Sequence, residues 1–254
     1  MKHFWYLLFF KVKCHLKSEA STSYLNYGWW IMEPLLHMGV FYLVFGVLMR
    51  SGTENYVMFL LIGLTSWLWF NKSVGNSTIS IFLGRYIMMQ TTVPIALFPT
   101  EVVVQDLVKQ VLVFALLFVY VAFAGPGISV HWVALLPVIL VQLTLTLAVS
   151  FVVAMAVPFV PDLRYLVQTG LMLMMFGSGV FYSDELILPQ HQRIFYMNPM
   201  ANLIKNYREI LIGQHWPDWM ALTTILLTSL VVLAVSVLVL KRHRTTYVRL
   251  ALES

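Results

Sequence analysis

Long apolar stretches separated by short polar segments dominate the chain, and six of them approach the length of about 20 residues that a helix needs to cross a bilayer. These candidate spans are at about residues 28–49, 56–80, 100–123, 132–157, 165–182 and 219–240. The segment 125–130 between the third and fourth spans begins Gly-Pro-Gly, which predicts a tight turn. The pattern therefore predicts an all-α, polytopic membrane protein with six transmembrane helices in a single transmembrane domain, residues 1–254.

The amino-terminal segment is apolar and aromatic but too short to span a bilayer. In residues 3–17, Lys11 and Lys13 follow the apolar run directly, and no small-residue cleavage site appears. This pattern predicts an amphipathic helix that lies in the cytoplasmic interface with its lysines near the lipid headgroups.

The segment between the fifth and sixth spans, residues 183–218, has a mixed pattern. It contains apolar stretches that are too short to cross, such as 201–212, and Asn198-Pro199 interrupts them. We expect two short re-entrant helices on the outer face. Because irregular backbone at membrane depth is tolerated only beside protein or a water-filled cavity, these helices would line an exit. A small folded cap with no part in any path is the alternative.

Composition supports the membrane assignment and narrows the chemistry. Hydrophobic residues make up 60% of the chain and charged residues only 11%, whereas a soluble domain carries about 25% charged residues. The basic residues lie at span ends and in the tails, a distribution that argues against nucleic-acid binding. A single cysteine, Cys14, excludes a disulfide framework and a multi-cysteine metal site, and the histidines are scattered. We expect no catalytic constellation, metal site or cofactor in this chain.

The distribution of lysine and arginine predicts the orientation. With both termini in the cytoplasm, the outside carries Arg50, Arg193, Lys205 and Arg208. The inside then carries Lys2, Lys11, Lys13, Lys17, Arg85, Arg164, Lys241, Arg242, Arg244 and Arg249. Lys and Arg are enriched on the cytoplasmic side of membrane proteins. The larger number of basic residues on the inside therefore predicts that both termini are cytoplasmic.

Several short stretches, taken in order, resemble a known family. They are the Trp-rich and Pro-Leu-containing segment 24–35, Val93-Pro94 and Phe98-Pro99, Pro161-Asp162-Leu163-Arg164, residues 179–182, Asn198-Pro199 and residues 207–213. Their order and spacing over nearly the whole chain resemble the permease subunits of type-2 ABC exporters for O-antigen, capsular and teichoic acid polysaccharides. The Pro-Asp-Leu-Arg segment departs from the family's Arg-Asp-Leu order.

The resemblance implies a division of labour between subunits. The permease would pair with a second copy of itself and with two separate ATPase subunits, and would move a lipid-linked polysaccharide across the bacterial inner membrane. The chain has no Gly-x-x-x-x-Gly-Lys-Ser/Thr loop with which to cradle ATP phosphates. We therefore expect ATP and magnesium to bind the partner subunits, and we expect this chain not to be an enzyme.

Two other functions fit parts of the pattern. A drug or small-lipid exporter of the same class would have an apolar, closed core. An aqueous channel lined by aromatic side chains would instead indicate a polysaccharide substrate. An integral-membrane enzyme acting on lipid-linked sugars would need convergent carboxylates or histidines, and Glu33, Glu101 and Asp106 do not obviously converge. Inverted repeats typical of a proton-driven carrier are not evident.

Aromatic side chains are the candidates for contact with a glycan. Sugar rings present apolar C–H faces, and a stacked aromatic ring holds them without a fixed hydrogen-bond pattern, which suits a sliding polymer. The candidates are Tyr42, Phe45, Trp67, Trp69, Phe70, Phe181 and Tyr182. The alternative is ordinary placement, since Trp and Tyr favour membrane interfaces.

Charged residues give the candidates for coupling to the ATPase. Arg85, Asp162 and Arg164 lie in segments predicted to be cytoplasmic, and Glu33 lies near the inner end of the first span. Within the spans, Asp106 and Lys109 are three residues apart and are expected to neutralise each other. Lys72 lies in a polar half-span that we expect to face water or protein.

Overall fold

The computed structural model describes residues 2–21, 28–41, 43–44, 47, 56–91 and 93–253. The described residues form twelve α-helices: α1 Lys2–Ser21, α2 Trp29–Phe41, α3 Tyr56–Ser77, α4 Ser80–Leu83, α5 Arg85–Gln90, α6 Leu97–Ala124, α7 Leu135–Ala156, α8 Leu163–Phe176, α9 Pro189–Phe195, α10 Pro199–Leu211, α11 Trp219–Arg242 and α12 Arg244–Glu253. Two 3₁₀ helices, Val130–Ala134 and Asp184–Leu186, precede α7 and α9. This part of the chain contains no strand, so the all-α prediction is confirmed for it.

Four helices of the described chain are long and apolar enough to cross a membrane: Tyr56–Ser77, Leu97–Ala124, Val130–Ala156 and Trp219–Arg242. They occupy the second, third, fourth and sixth predicted spans. Large apolar side chains on their outer surfaces are exposed, such as Phe123 on α6 and Leu227 on α11. A soluble protein does not expose so much continuous apolar surface, and the chain is a multi-pass membrane protein.

The first and fifth predicted spans are not complete membrane-spanning helices among the described residues. Helix α2 covers the first part of segment 28–49, and residues 42, 45–46 and 48–50 lie outside the described residues. Helix α8 has 14 residues and ends at Phe176 rather than near residue 182. At 1.5 Å per residue it is about 21 Å long, which is shorter than the roughly 30 Å hydrocarbon core. Six complete spans therefore remain a prediction.

Helix α3 lies at the centre of the bundle, where α6, α7, α8 and α10 contact it. Its inward polar side chains and backbone make hydrogen bonds between helices. The Gln142 amide of α7 donates to the Ser66 carbonyl at 2.8 Å, and the Gln110 amide of α6 donates to the Thr65 carbonyl at 3.3 Å. Bonds of this kind satisfy polar groups where lipid excludes water, so they fix α3 between its neighbours.

One end of the bundle brings together helices from both ends of the chain. Helix α1 packs on α6, and α12 packs on α5. The Tyr247 ring of α12 lies 5.3 Å from the Phe159 ring in the segment before α8. Leu8 of α1 and Tyr247 belong to the same buried apolar cluster, and we call this end of the bundle the tail end. The side of the membrane on which it lies stays a prediction.

The opposite end of the bundle is built from the connecting segments. The Gln214 side chain donates to the Pro126 carbonyl at 3.0 Å, and the Tyr56 hydroxyl at the start of α3 donates to the Phe181 carbonyl at 3.1 Å. We call this end the mouth end. Segment 183–218 belongs to it and contains α9 and α10.

Asn198-Pro199 separates α9 from α10, as its sequence suggests. The Asn198 side chain accepts a hydrogen bond from the Met200 amide at 3.0 Å and caps α10, while Pro199 occupies its first turn. The apolar face of α10 is buried against the bundle, with Leu203 and Tyr207 fully enclosed. Entry of these helices into the membrane remains a prediction.

Candidate functional site

A groove of about 610 Å³, with both polar and apolar side chains in its wall, runs between α3 and α8, in the half of the bundle nearer the tail end. Helix α3 contributes its polar second half, including Asn71, Lys72 and Asn76, and α8 contributes Arg164 and Gln168. The rest of the described wall is Trp67, Gly75, Thr78, Ile79, Tyr165, Leu171, Met172 and Met175. The half-span that the sequence marks as polar therefore faces an open space beside a neighbouring helix.

The chemistry of this groove suits a polar ligand. Amide and hydroxyl groups can exchange hydrogen bonds with sugar hydroxyls, while the thioethers of Met172 and Met175 offer apolar surface that adapts its shape. A greasy, closed core would instead favour a drug or small lipid. The groove is open and partly lined by polar groups, which agrees with a polar, polymer-like ligand, while its apolar side chains keep a small amphiphile as the alternative.

The three aromatic candidates of α3 are buried within the single chain, each exposing 2% or less of its surface. Trp67 lines the groove and lies 5.6 Å from the Phe70 ring. The Trp69 ring meets Phe114 of α6 edge-on at 5.9 Å. These contacts explain why α3 tolerates large rings at its centre, and glycan contact by Trp67, Trp69 and Phe70 stays a prediction.

The other aromatic candidates lie toward the mouth end. Phe181 lies 5.5 Å from the Phe176 ring, and the Tyr182 hydroxyl donates to the Phe176 carbonyl at 2.7 Å. Tyr182 also lines a cleft of about 280 Å³ at the mouth. Tyr42 and Phe45 lie outside the described residues. Tyr182 therefore borders an open space, and glycan contact by Phe181 or Tyr182 stays a prediction.

Arg208 is a functional candidate that sequence analysis counted only as an outside charge. Its buried guanidinium donates to the Phe59 carbonyl at 3.2 Å, the Gly179 carbonyl at 2.8 Å and the Val180 carbonyl at 2.9 Å. A Cβ atom at Gly63 would lie 2.6 Å from its Nη2 atom, so glycine provides the space. Helix α10 thereby ties the start of α3 to the turn that follows α8.

A second polar cluster lies beside Arg208 at the mouth. The Lys205 ammonium lies 3.0 Å from the Asp184 carboxylate and donates to the Tyr196 hydroxyl at 2.8 Å, and that hydroxyl donates to Asp184. Burial raises the pKa of the Asp184 carboxyl, but the hydrogen bonds from Tyr196 and Lys205 outweigh it, so the pKa lies below its usual value. Burial lowers the pKa of Lys205, and its bonds to Tyr196 and Asp184 raise it above the usual value.

The charges on α6 have partners that differ from the expected pair. Lys109 forms an ion pair with Glu19 of α1 at 2.6 Å rather than with Asp106. The Asp106 carboxylate accepts hydrogen bonds from Ser73 at 3.1 Å and from Asn76 at 3.5 Å. Lys109 gains this further partner because α1 extends to Ser21, beyond the predicted end at residue 17, and carries Glu19 to α6, while the charge of Lys109 still acts on the Asp106 carboxylate.

A second ion pair gives the same register between α1 and α6. The Lys11 ammonium lies 2.5 Å from the Glu101 carboxylate. Lys11 and Glu19 are eight residues apart on α1, and their partners Glu101 and Lys109 are eight residues apart on α6. Eight residues rise about 12 Å in a helix, so this part of α1 runs alongside α6 in the same direction.

The described coupling candidates lie toward the tail end. Arg85 begins α5 with its guanidinium 5.0 Å from the Tyr86 ring, and Arg164 lies in the first turn of α8, 4.5 Å from the Tyr165 ring. Asp162 precedes α8 and is exposed. Glu33 falls in α2, but its side chain lies outside the described residues. In the part of the chain that the structure describes, no three His, Cys, Asp or Glu side chains form a group able to hold a metal ion.

Long apolar helices whose outer side chains are exposed define the class of a multi-pass membrane protein. The chain is 33% identical over 229 residues to the O-antigen export system permease protein RfbA of Myxococcus xanthus. The aligned region covers 89% of this chain and 88% of that protein. Two Klebsiella pneumoniae proteins of the same name are 30% and 29% identical over 203 and 199 residues, in each case 78% of this chain and 77% of the relative. No protein-family model matches the chain.

These similarities extend over most of both chains. The chain belongs to the O-antigen export permease family, which confirms the resemblance seen in its motifs. Membership makes it a transporter subunit rather than an enzyme.

Proposed function

We propose that this chain is the permease subunit of an ATP-driven ABC exporter that moves a lipid-linked, O-antigen-type polysaccharide across the bacterial inner membrane. Two copies form the channel, and two separate ATPase subunits supply the energy. The observation that carries the proposal is the open groove between α3 and α8, partly lined by amide and basic side chains, in a chain whose relatives are named O-antigen export permeases.

The surface of α8 supports pairing of two copies. Leu166 and Leu173 on this helix are 67% and 69% exposed, and the groove beside them is open. A polymer path open to lipid would let acyl chains displace water and leave its polar groups without hydrogen-bond partners. A second copy that covers α8 closes the path, and two grooves then face each other across the channel.

The two ends of the bundle have different roles in this proposal. At the tail end, which lies in the cytoplasm, Arg85, Asp162 and Arg164 contact or brace the ATPase subunits, together with Glu33. At the mouth end, α9 and α10 re-enter the membrane from the outer side and border the exit. ATP binding and hydrolysis on the partners rock the channel and advance the polymer, while Phe181 and Tyr182 stack on the leaving sugars.

Export in a strain that lacks its own O-antigen permease but retains the ATPase tests the proposal. Expression of the chain restores surface O-antigen, and a tagged copy purified in mild detergent carries the ATPase subunit with it. A chain that purifies without an ATPase and restores no surface polysaccharide would contradict the proposal and favour a membrane enzyme.

The same strain distinguishes the drug or small-lipid exporter. Lining residues such as Leu171 and Met172 give the groove an apolar side, and this observation keeps the alternative open. If the chain binds the ATPase and lowers drug accumulation but leaves surface polysaccharide absent, the substrate is a small amphiphile rather than a glycan.

A further inference from the structure

A cavity of about 70 Å³, distinct from the groove between α3 and α8, is bordered by α1, α2, α3 and α6. Its described wall includes Glu19 of α1, Trp69 and Lys72 of α3, and Asp106 and Lys109 of α6. The four residues of α3 and α6 lie well inside helices that are able to cross a membrane. Charged side chains at such a depth are expensive, and they are usually paired or functional.

The formal charges in the described wall of this cavity cancel. Lys72 and Lys109 contribute two ammonium groups, Glu19 and Asp106 contribute two carboxylates, and His37 is counted as neutral. The Lys109 ammonium lies 2.6 Å from the Glu19 carboxylate, and both lysines act on the Asp106 carboxylate. Because the wall has no net charge, it favours a neutral polar ligand over an ion.

The indole N–H of Trp69 is a buried donor in the wall of this cavity. Trp69 exposes 2% of its surface, and its Nε1 atom has no hydrogen-bond partner among the described residues. Buried N–H groups in folded proteins almost always donate to protein or to an ordered water molecule. Since Trp69 lines the cavity, an acceptor bound there would satisfy this donor.

The buried carboxylate of Asp106 gives the cavity an acceptor. The hydrogen bonds from Ser73 and Asn76 both end on its Oδ2 atom, at 3.1 and 3.5 Å. A carboxylate has about four lone-pair sites, so the Oδ1 atom of Asp106 can accept from a molecule in the cavity. A water molecule both accepts and donates hydrogen bonds, so it matches the donor on Trp69 and the acceptor on Asp106.

We propose that this cavity binds a small cluster of water molecules, which connects the Trp69 N–H, the Asp106 carboxylate and the ammonium groups of Lys72 and Lys109. The volume of about 70 Å³ is well above the roughly 15 Å³ that one buried water needs, so several fit. Lys72 also lines the groove, and its flexible stem gives water a route between the two spaces. The cluster solvates the charges inside the bundle, and the pairing of Lys109 with Glu19 of α1 then persists there.

Hydroxyl-radical footprinting of the full-length chain in lipid nanodiscs tests the water site. X-ray radiolysis produces radicals from bound water as well as from bulk water, whereas radicals made chemically in the bulk reach only exposed groups. Mass spectrometry measures the oxidation of Trp69 with each source of radicals. Trp216, which is 53% exposed, is the positive control, and the fully buried Met200, which does not line the cavity, is the negative control.

We expect radiolysis to oxidise Trp69 and Trp216 but not Met200, and bulk radicals to oxidise Trp216 alone of the three. Absence of Trp69 oxidation in the wild-type chain would overturn the site, because it would show a dry cavity. Equal oxidation of Trp69 by both sources would also overturn it, because bulk solvent would then reach the ring.

A pair of variants on α6 locates the water. Val113→Phe places a larger apolar side chain in the cavity, and Val111→Phe makes the same change at an exposed position. We expect Val113→Phe to lose the radiolytic oxidation of Trp69 and Val111→Phe to keep it at the wild-type level. Wild-type oxidation in a folded Val113→Phe chain would contradict water in this cavity. None of these readouts depends on export, so the proposed function is tested separately.

Discussion

The guanidinium carbon of Arg208 lies 3.3 Å from the ring centre of Phe59, and its Nε atom donates to the carbonyl of the same residue. One side chain of α10 thus contacts both the ring and the backbone of α3. Its other nitrogens bind carbonyls at Gly179 and Val180, after the end of α8. Three segments that are far apart in sequence meet at this arginine, so it holds helix α10, the start of α3 and the turn after α8 together.

Replacement of Arg208 should destabilise the mouth. Arg208→Met keeps most of the side-chain volume but removes three hydrogen bonds, two of them to the carbonyls of Gly179 and Val180 outside any helix. We expect a loss of roughly 3 kcal/mol of unfolding free energy. Thermal unfolding of the purified chain in detergent measures it. Arg193→Met on α9, at an exposed position, is the control and should change little. An Arg208→Met chain as stable as the wild type would show that these bonds contribute nothing net.

The close contact of Gly84 with Phe98 gives a second test. A Cβ at Gly84 would lie 2.3 Å from the nearest atom of the buried Phe98 ring, whereas one at Gly170 in α8 would meet nothing within 4 Å. Gly84→Ala should therefore lower stability by about 1–3 kcal/mol through overpacking. Gly170→Ala should be neutral or stabilising because alanine favours helix. Similar unfolding temperatures for the two variants would mean that the contact relaxes without strain.

The cluster of Asp184, Tyr196 and Lys205 predicts a pH dependence. Because the folded pKa of Asp184 is lowered, the stability that it contributes is complete above its unfolded pKa of about 3.9 and is lost as the pH falls through the folded value. The raised pKa of Lys205 makes its contribution complete below about pH 10.4 and lost at higher pH.

Unfolding temperatures of wild type and Asp184→Asn should therefore differ between about pH 5 and pH 9 and converge below about pH 4. Glu185→Gln, at the exposed neighbouring position, is the control and should follow the wild-type profile. A difference between wild type and Asp184→Asn that stays constant down to pH 3 would contradict the assigned ionisation of Asp184.

Two substitutions of Tyr207 separate the contribution of its buried ring to stability from that of its hydroxyl group. The ring is fully buried beside Phe114 at 5.8 Å, and the hydroxyl has no hydrogen-bond partner among the described residues. Tyr207→Phe should therefore match or exceed wild-type stability. Tyr207→Ala should cost about 3–5 kcal/mol because it leaves a cavity. A large loss in Tyr207→Phe would reveal a bound partner for the hydroxyl.

Local sequence patterns predicted the long apolar helices that are able to span a membrane. Hydropathy marks α3, α6, α7 and α11 because each carries enough consecutive apolar residues to span, and Asn198-Pro199 marks the break before α10 because it caps and starts a helix. The family resemblance rested on the same local stretches, and the comparison with known permeases confirmed it.

Long-range contacts could not be predicted in this way. Glu19 and Lys109 are 90 residues apart, so the sequence offered Asp106 as the nearer partner of Lys109. The short α8 also depends on distant groups, since the side chain of Asn198 donates to the Gly177 carbonyl at 3.2 Å and Arg208 binds the carbonyls that follow. The wall of the groove emerges only when α8 packs beside the polar half of α3.

Photo-crosslinking of the exported polymer tests the central claim most directly. A benzophenone amino acid at Gln168, in the groove, is compared with one at Leu227, on the exposed face of α11, in cells that are exporting O-antigen. The account predicts that illumination joins glycan to the chain at position 168 and not at 227. Crosslinked glycan at 227 alone, or at neither position while export continues, would contradict a polymer path along the α3–α8 groove.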